Sequence, residues 1–358
     1  MTQAFYTPIV KSKRGEASAL QHLDPGVKQM ILPFFDVLAL EQGVIGAGDV
    51  EAHVVKQSGM IAKAWAEQGP CYVDLFDINP AVRCLNGVHP LLRVMGELLT
   101  KKVKPIPVLG LERDVGYRLA AKQLMEWNPP AVAVRLELED MQLPGGLAQR
   151  VYQMLLEVGA AELPLHIICD FRSIWRKAKG DDGSQVFKAA LKEIRALKPQ
   201  RIVFAASNMV DSMAAFKPNS INLLPRRDLD AWKQIVNGGA SDIAFGDYGV
   251  VHPDYVDLDP RFIKPSAKIR YATASHWIVV KGTSWRDNTS QHHVLSQQLR
   301  ATGHFRDSGC WGDEYIASAA IGRPKYGTLE TWVTIDQNSH ITLTANQVIV
   351  EVAQALHI

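Results

Sequence analysis

The sequence predicts an α/β protein, a TIM-like (β/α)8 barrel followed by a C-terminal α+β module, and three observations carry that expectation. The first is the run Ala131-Val-Ala-Val-Arg-Leu-Glu-Leu-Glu-Asp140. Side chains alternate along a strand, so Val132, Val134, Leu136 and Leu138 share an apolar face, while Ala131, Ala133, Arg135, Glu137 and Glu139 share a small-then-ionic one. Apolar residues against an outer helix, alanines at a narrow base and charges at an open mouth suit a strand of a closed parallel barrel. An antiparallel strand with one wet face is the alternative. The second observation is repetition: strand-like runs recur every roughly 20 to 40 residues, mostly with a helical pattern between them, and eight such units over about 250 residues fit a TIM barrel. A doubly wound open sheet is the competing arrangement. Third, the alternation stops near residue 265, which assigns 1–265 to the barrel and 266–358 to the appended module.

In order, strand signals lie at 5–10, 31–36, 71–77, 104–110, 131–140, 165–170, 201–207 and 242–247. Helical patterns follow at 17–30, from about Asp49 as a cap to 67, through Leu91 and Leu99, and at 114–127, 147–158, 186–197 and 228–236. The prolines at 105 and 107 are awkward in a central strand, although one at a strand start is tolerated, and those at 218 and 225 mark a loop. Beyond 265, residues 269–280 resemble a turn-connected strand pair, 292–301 a helix that His292-His293 begins, and 331–343 further strand. Trp277, Trp285, Trp311 and Trp332 lie in this region; they read as core or as a docking surface before they read as a base-stacking surface.

Composition excludes several classes. A chain of 358 residues, 47% hydrophobic, can bury a sizeable core, and a formal charge of +2 gives no overall field to draw it onto nucleic acid or membrane. Cys71, Cys84, Cys169 and Cys310 form no C-x-x-C pair and read as buried thiols in a reducing cytoplasm. No apolar run approaches the roughly 18 residues of a membrane span, and the first residues lack a basic-then-apolar pattern, so a cytoplasmic protein is expected. Neither a G-x-S-x-G nor an H-E-x-x-H motif occurs, and the glycines at 43–48 do not make a dinucleotide or Walker fingerprint.

The chemistry is expected where barrel strands end. Each delivers polar side chains there: Lys11 and Lys13, Asp36, Asp74 and Asp77, Glu112 and Arg113, Arg135 with Glu137 and Glu139, Asp170 and Arg172, Ser207 and Asn208, Asp247 and Tyr248. Charges pointing into a barrel must pair, bind metal or meet a ligand. As a phosphate site with a divalent metal, Asp36, Asp74, Glu137 and Asp170 would hold magnesium or manganese. Lys11, Lys13, Arg113, Arg135 and Arg172 would hold phosphoryl oxygens, with Glu137, Asp170 and Asp247 as catalytic carboxylates. A self-satisfied salt-bridge network explains the same residues. The loop with Arg172, Arg176, Lys177 and Lys179 is a further candidate for an anionic partner, or a solvated loop.

Two groups of residues resemble a known family. Tyr6-x-Pro8-Ile-x-Lys11-x-Lys13-x-Gly15-Glu16 lies near one end of the chain; Trp311-Gly-Asp-x-Tyr-Ile316, Thr331-Trp332 and Ser339-His-Ile-Thr342 lie near the other. Together they resemble the beta protein family of satellite phages and bacterial defence islands, over most of the chain. Where an Asn-His-His-Ile run is expected, this chain has Asn338-Ser-His-Ile341, so any role of the first of those histidines is missing. The resemblance implies a three-gene anti-phage operon in which the beta protein restrains a toxin-like partner, Gop, beside a small cII-like regulator. It supplies no catalytic residue. Two functions are therefore expected in competition: restraint of a toxin-like partner, with sensing of a nucleotide or other phosphorylated ligand at the mouth, or metal-dependent phosphoester hydrolysis of a nucleotide or nucleic acid.

Overall fold

A computed structural model describes residues 5–41, 43–143, 145–175, 177, 182–254, 264–323 and 327–356. In it the strand-helix alternation closes on itself. The strands are β1 (Tyr6–Lys11), β2 (Phe34–Asp36), β3 (Pro70–Asp74), β4 (Lys104–Gly110), β5 (Val132–Glu137), β6 (Leu165–Ser173), β7 (Arg201–Ser207), β8 (Ser220–Pro225) and β9 (Ile243–Asp247). All but β8 form a closed parallel barrel in the order β1-β2-β3-β4-β5-β6-β7-β9. Between them run α1 (Arg14–Gln21), α2 (Pro25–Met30), α3 (Ala47–Trp65), α4 (Pro90–Thr100), α5 (Val115–Met125), the short α6 (Leu138–Gln142), α7 (Leu147–Val158), α8 (Ser184–Ala196) and α9 (Arg227–Asn237).

The parity read from the strand expected at 131–140 holds as far as Glu137, but Leu138 and Glu139 belong to α6 and not to the strand. Val132, Val134 and Leu136 sit in the apolar layer between strands and helices, whereas Ala131 and Ala133 belong to the inner cluster with Ile9, Phe34, Tyr72 and Val203. Two local readings need correction. The single helix expected over 17–30 is two helices, because Pro25 cannot continue one and instead starts another, with the Asp24 carboxylate accepting from Gly26 N at 2.8 Å. Asp49 is not a cap: α3 begins at Ala47, which leaves Asp49 in its first turn.

Beyond the barrel, β10 (Ser266–Ala272) and β11 (His276–Ser284) make the expected antiparallel pair, followed by α10 (His292–Ala301), α11 (Trp311–Ala320) and α12 (Leu329–Ala355). The segment read as a loop around Pro218 and Pro225 contains β8, which pairs antiparallel with β11 and gives a sheet in the order β10-β11-β8. A boundary at 265 therefore divides the chain in sequence but not in space. The segment 331–343, expected as strand, is helical. Its β-branched residues favour strands locally, but burial on several sides overrides that preference, and Thr328 Oγ1 caps the helix by accepting from Thr331 N at 3.2 Å.

The helix α12 belongs to both cores. Trp332 and Ile335 pack with the β10-β11 sheet, while Ile341, Ala345, Val348 and Val352 join the layer around the barrel. Its middle is polar and buried, and successive residues reach different elements. Asp336 accepts from Arg270 Nε at 3.0 Å, and Gln337 Oε1 from Val250 N at 2.9 Å. Asn338 donates to Ala19 O at 3.1 Å, Ser339 to Asp313 at 2.6 Å, and His340 meets Asp247 at 2.9 Å. Helices approach closely on either side: a Cβ on Gly15 would lie 3.3 Å from Glu330 O, and one on Gly312 would lie 2.6 Å from Ile335 O. Trp277 and Trp332 are 1% and 2% exposed, so they fill cores and do not present a docking surface. Among the described residues, no helix is long and apolar enough to cross a membrane.

Candidate functional site

The alternation that places Ile9, Phe34, Tyr72, Ala133 and Ile168 inside the barrel also places Lys11, Asp36, Asp74, Arg135 and Asp170 inside, one layer nearer the mouth. Arg135 is the hub of this layer. Its Nη1 donates to Asp36 at 3.0 Å and Asp74 at 2.8 Å, and its Nη2 to Asp170 at 2.6 Å and to Tyr248 Oη at 2.7 Å. Its Nε donates to Asp170 at 2.9 Å. Tyr248 also donates to Asp170. Lys11 bridges Asp36 at 3.2 Å and Asp77 at 2.7 Å, and Arg113 pairs with Asp74 at 2.7 Å and Glu112 at 2.9 Å. Above the hub, the Phe76 ring has the guanidinium carbons of Arg113, Arg135 and Arg172 at 5.0, 5.1 and 5.3 Å from its centroid.

Burial by itself would push the Asp36 carboxyl up, but Arg135 and Lys11 beside it hold it below its ordinary value. For Arg135, burial opposes the charge, yet Tyr248 and the surrounding aspartates outweigh it and raise its pKa. The mouth is thus a network of mutual ion pairs, in which Asp36 Oδ2 and Arg113 Nε make ion-pair contacts without a hydrogen bond. Asp36, Asp74 and Asp170 do not fit a divalent cation as arranged, because their oxygens close on a guanidinium. Among the described residues, no group of three or more His, Cys, Asp or Glu side chains is arranged to hold a metal ion.

The other candidates are placed differently. Glu137 is half-buried at the start of α6, where its N–H donates to Asp140 at 3.0 Å; among the described residues no ion pair joins it to Arg135. Burial raises its pKa. Arg172 gives its backbone N–H to Asp170 at 2.8 Å and turns its guanidinium to Asp254 at 2.7 Å. Arg176 and Lys179 lie outside the described residues.

Asp247 is not in the mouth. Ala244 on β9 and Tyr248 just after it face inward, so Asp247 shares the outward face with Ile243 and Phe245 and points at α12. There it accepts from Tyr6 Oη at 2.8 Å and contacts His340 Nε2 at 2.9 Å. Burial keeps His340 below its ordinary pKa, so at neutral pH it donates Nε2–H as an uncharged imidazole, stacked 4.5 Å from Trp277. Sequence reasoning missed this cluster because its partners come from opposite ends of the chain.

Lys13 lines a cavity beside the mouth, about 600 Å³ in volume, between the β1–α1 connection and the β10-β11-β8 sheet. Glu16 lines it too. It is buried, accepts from Lys11 N at 2.8 Å, and has its pKa raised by burial to about 7. A carboxyl raised this way contributes stability that is complete below its ordinary value of 4.5 and is lost as pH rises through about 7. Glu16→Gln is therefore expected to be about 2–3 kcal/mol more stable than the parent at pH 8, with the gain falling below about 1 kcal/mol at pH 5. Urea titrations at the two pH values check this; a pH-independent difference would contradict it.

With this geometry in place, comparison with known proteins adds one match: the model of a family described as Beta protein covers residues 6–346. No curated protein matches the chain.

Proposed function

The chain belongs to the Beta protein family, and from that premise we propose that it restrains a toxin-like partner in an anti-phage defence system, working by binding and not by hydrolysis. What supports the second half is the engagement of Arg135 with Asp36, Asp74 and Asp170. A metal-dependent phosphoester hydrolase needs carboxylate oxygens open to a cation and a base open to water. Here those oxygens meet a guanidinium, and Asp247 is engaged with Tyr6 and His340 on the far side of β9.

The first half rests on the resemblance carried by the two ends of the chain, whose implied partners are a Gop-like toxin and a cII-like regulator in the cytoplasm. Many of the residues that carry it build the seam between barrel and sheet: Tyr6 beside His340, Gly15 against α12, and Gly312 and Asp313 against Asn338 and Ser339. They specify a shape, which suits a protein that acts by docking. Co-expression with a Gop-like toxin is the test. Growth should be rescued in the presence of this chain, and a complex should co-purify. Unchanged toxicity with no complex would remove the restraint reading, and magnesium- or manganese-dependent phosphate release that Asp170→Asn abolishes would restore the hydrolase.

A further inference from the structure

We propose that the cavity between the barrel mouth and the three-stranded sheet binds a nucleoside phosphate, with phosphoryl oxygens on Lys268 and Lys281 and the organic body against Met213, Val250 and Val333. The inference stands apart from toxin restraint, because it rests on the cavity and its charges alone.

Lys268 on β10 and Lys281 on β11 are direct cross-strand partners, and both line the cavity. Like charges placed opposite one another on a sheet repel. Lys281 is held in place by donating to Met213 O and Phe216 O, each at 2.7 Å. Lys268 has no hydrogen-bond or ion-pair partner for its ammonium among the described residues. Arg270, two residues along the same face, directs Nε to Asp336 and Nη1 to Val250 O at 2.7 Å. Burial, together with Arg270 and Lys281, pushes the Lys268 pKa down to about 8.

Asp336 offsets part of the charge on Lys268, and an anion between the two ammonium groups would relieve the repulsion that remains. Lys13 and Lys264 add positive charge to the walls, against the carboxylates of Glu16 and Asp211. Burial raises the Glu16 carboxyl to about 7, so at pH 7 it is only partly ionised, which weakens its opposition to an anion. The volume of about 600 Å³ far exceeds a bare phosphate and falls in the range of small-molecule sites, and the apolar wall accommodates a base and sugar.

The test uses the full chain with ADP, inorganic phosphate and adenosine, followed by calorimetry and thermal unfolding. ADP should bind and raise Tm, inorganic phosphate should bind more weakly, and adenosine should have no effect. Lys268→Met should keep the free protein folded, since it removes an unpaired cation, and weaken ADP binding about tenfold or more. Lys264→Glu, an exposed change at the rim, should weaken ADP binding without altering the fold, and decides the matter if Lys268→Met does not fold. The proposal is overturned if millimolar ADP has no effect, if adenosine or inorganic phosphate binds as well as ADP, or if neither substitution changes ADP affinity.

Discussion

Arg135→Met is expected to lose at least about 5 kcal/mol of stability at pH 7, enough to unfold a typical domain or leave it barely folded. Removing one partner of a buried ion pair costs about 3–5 kcal/mol, because the other charge is left without compensation. Here one side chain compensates Asp36, Asp74 and Asp170 together, all at 2% exposure or less. Methionine fills much of the space and supplies none of the donors. The loss should shrink toward acid. In the parent, Asp36 is held below its ordinary value, so its contribution is present above that value and disappears as pH falls through the lowered one. In the variant, burial without Arg135 pushes the Asp36 carboxyl up, so the folded state gains relative stability as it takes up a proton. Urea titrations at pH 7 and pH 5 should show a smaller deficit at pH 5. A variant within about 1 kcal/mol of the parent at pH 7 would mean that the network does not hold the barrel together.

The core of this site was legible because strands have a period of two. Alanines below and charges above give Arg135 an inward face, the strand ends supply Asp36, Asp74 and Asp170, and the structure joins all three to Arg135. Asp247 stands at a strand end but out of phase with the inward Ala244 and Tyr248, so its side chain falls on the outward face. Its partner His340 lies 93 residues away on a helix that reads locally as strand. Nor could the sequence reveal α12 as the spine of the seam. A helix buried on several sides has no polar stripe to give it a period, and the polar band from Asp336 to His340 becomes intelligible only when its partners on other elements are in place. The opposition of Lys268 and Lys281 was hidden for a related reason: hairpin register depends on turn geometry, and a shift of one residue would have separated them.

Asp170→Asn tests most directly whether the mouth carboxylates serve structure or chemistry. Asp170 accepts on both oxygens: Oδ1 from Arg172 N at 2.8 Å, and Oδ2 from Arg135 and Tyr248. An asparagine has the same shape but must turn its amide NH2 toward one of those donors, whichever way it is rotated. One buried hydrogen-bond site becomes a donor–donor clash, and Arg135 loses a charge partner. Glu137→Gln, half-buried and without an ion pair to Arg135, is the matched comparison. Denaturant unfolding of the two variants beside the parent should show Asp170→Asn less stable by about 3 kcal/mol or more and Glu137→Gln changed by less than about 1 kcal/mol. An Asp170→Asn protein as stable as the parent, with magnesium or manganese stabilising the parent alone, would contradict the account and return these aspartates to a metal site.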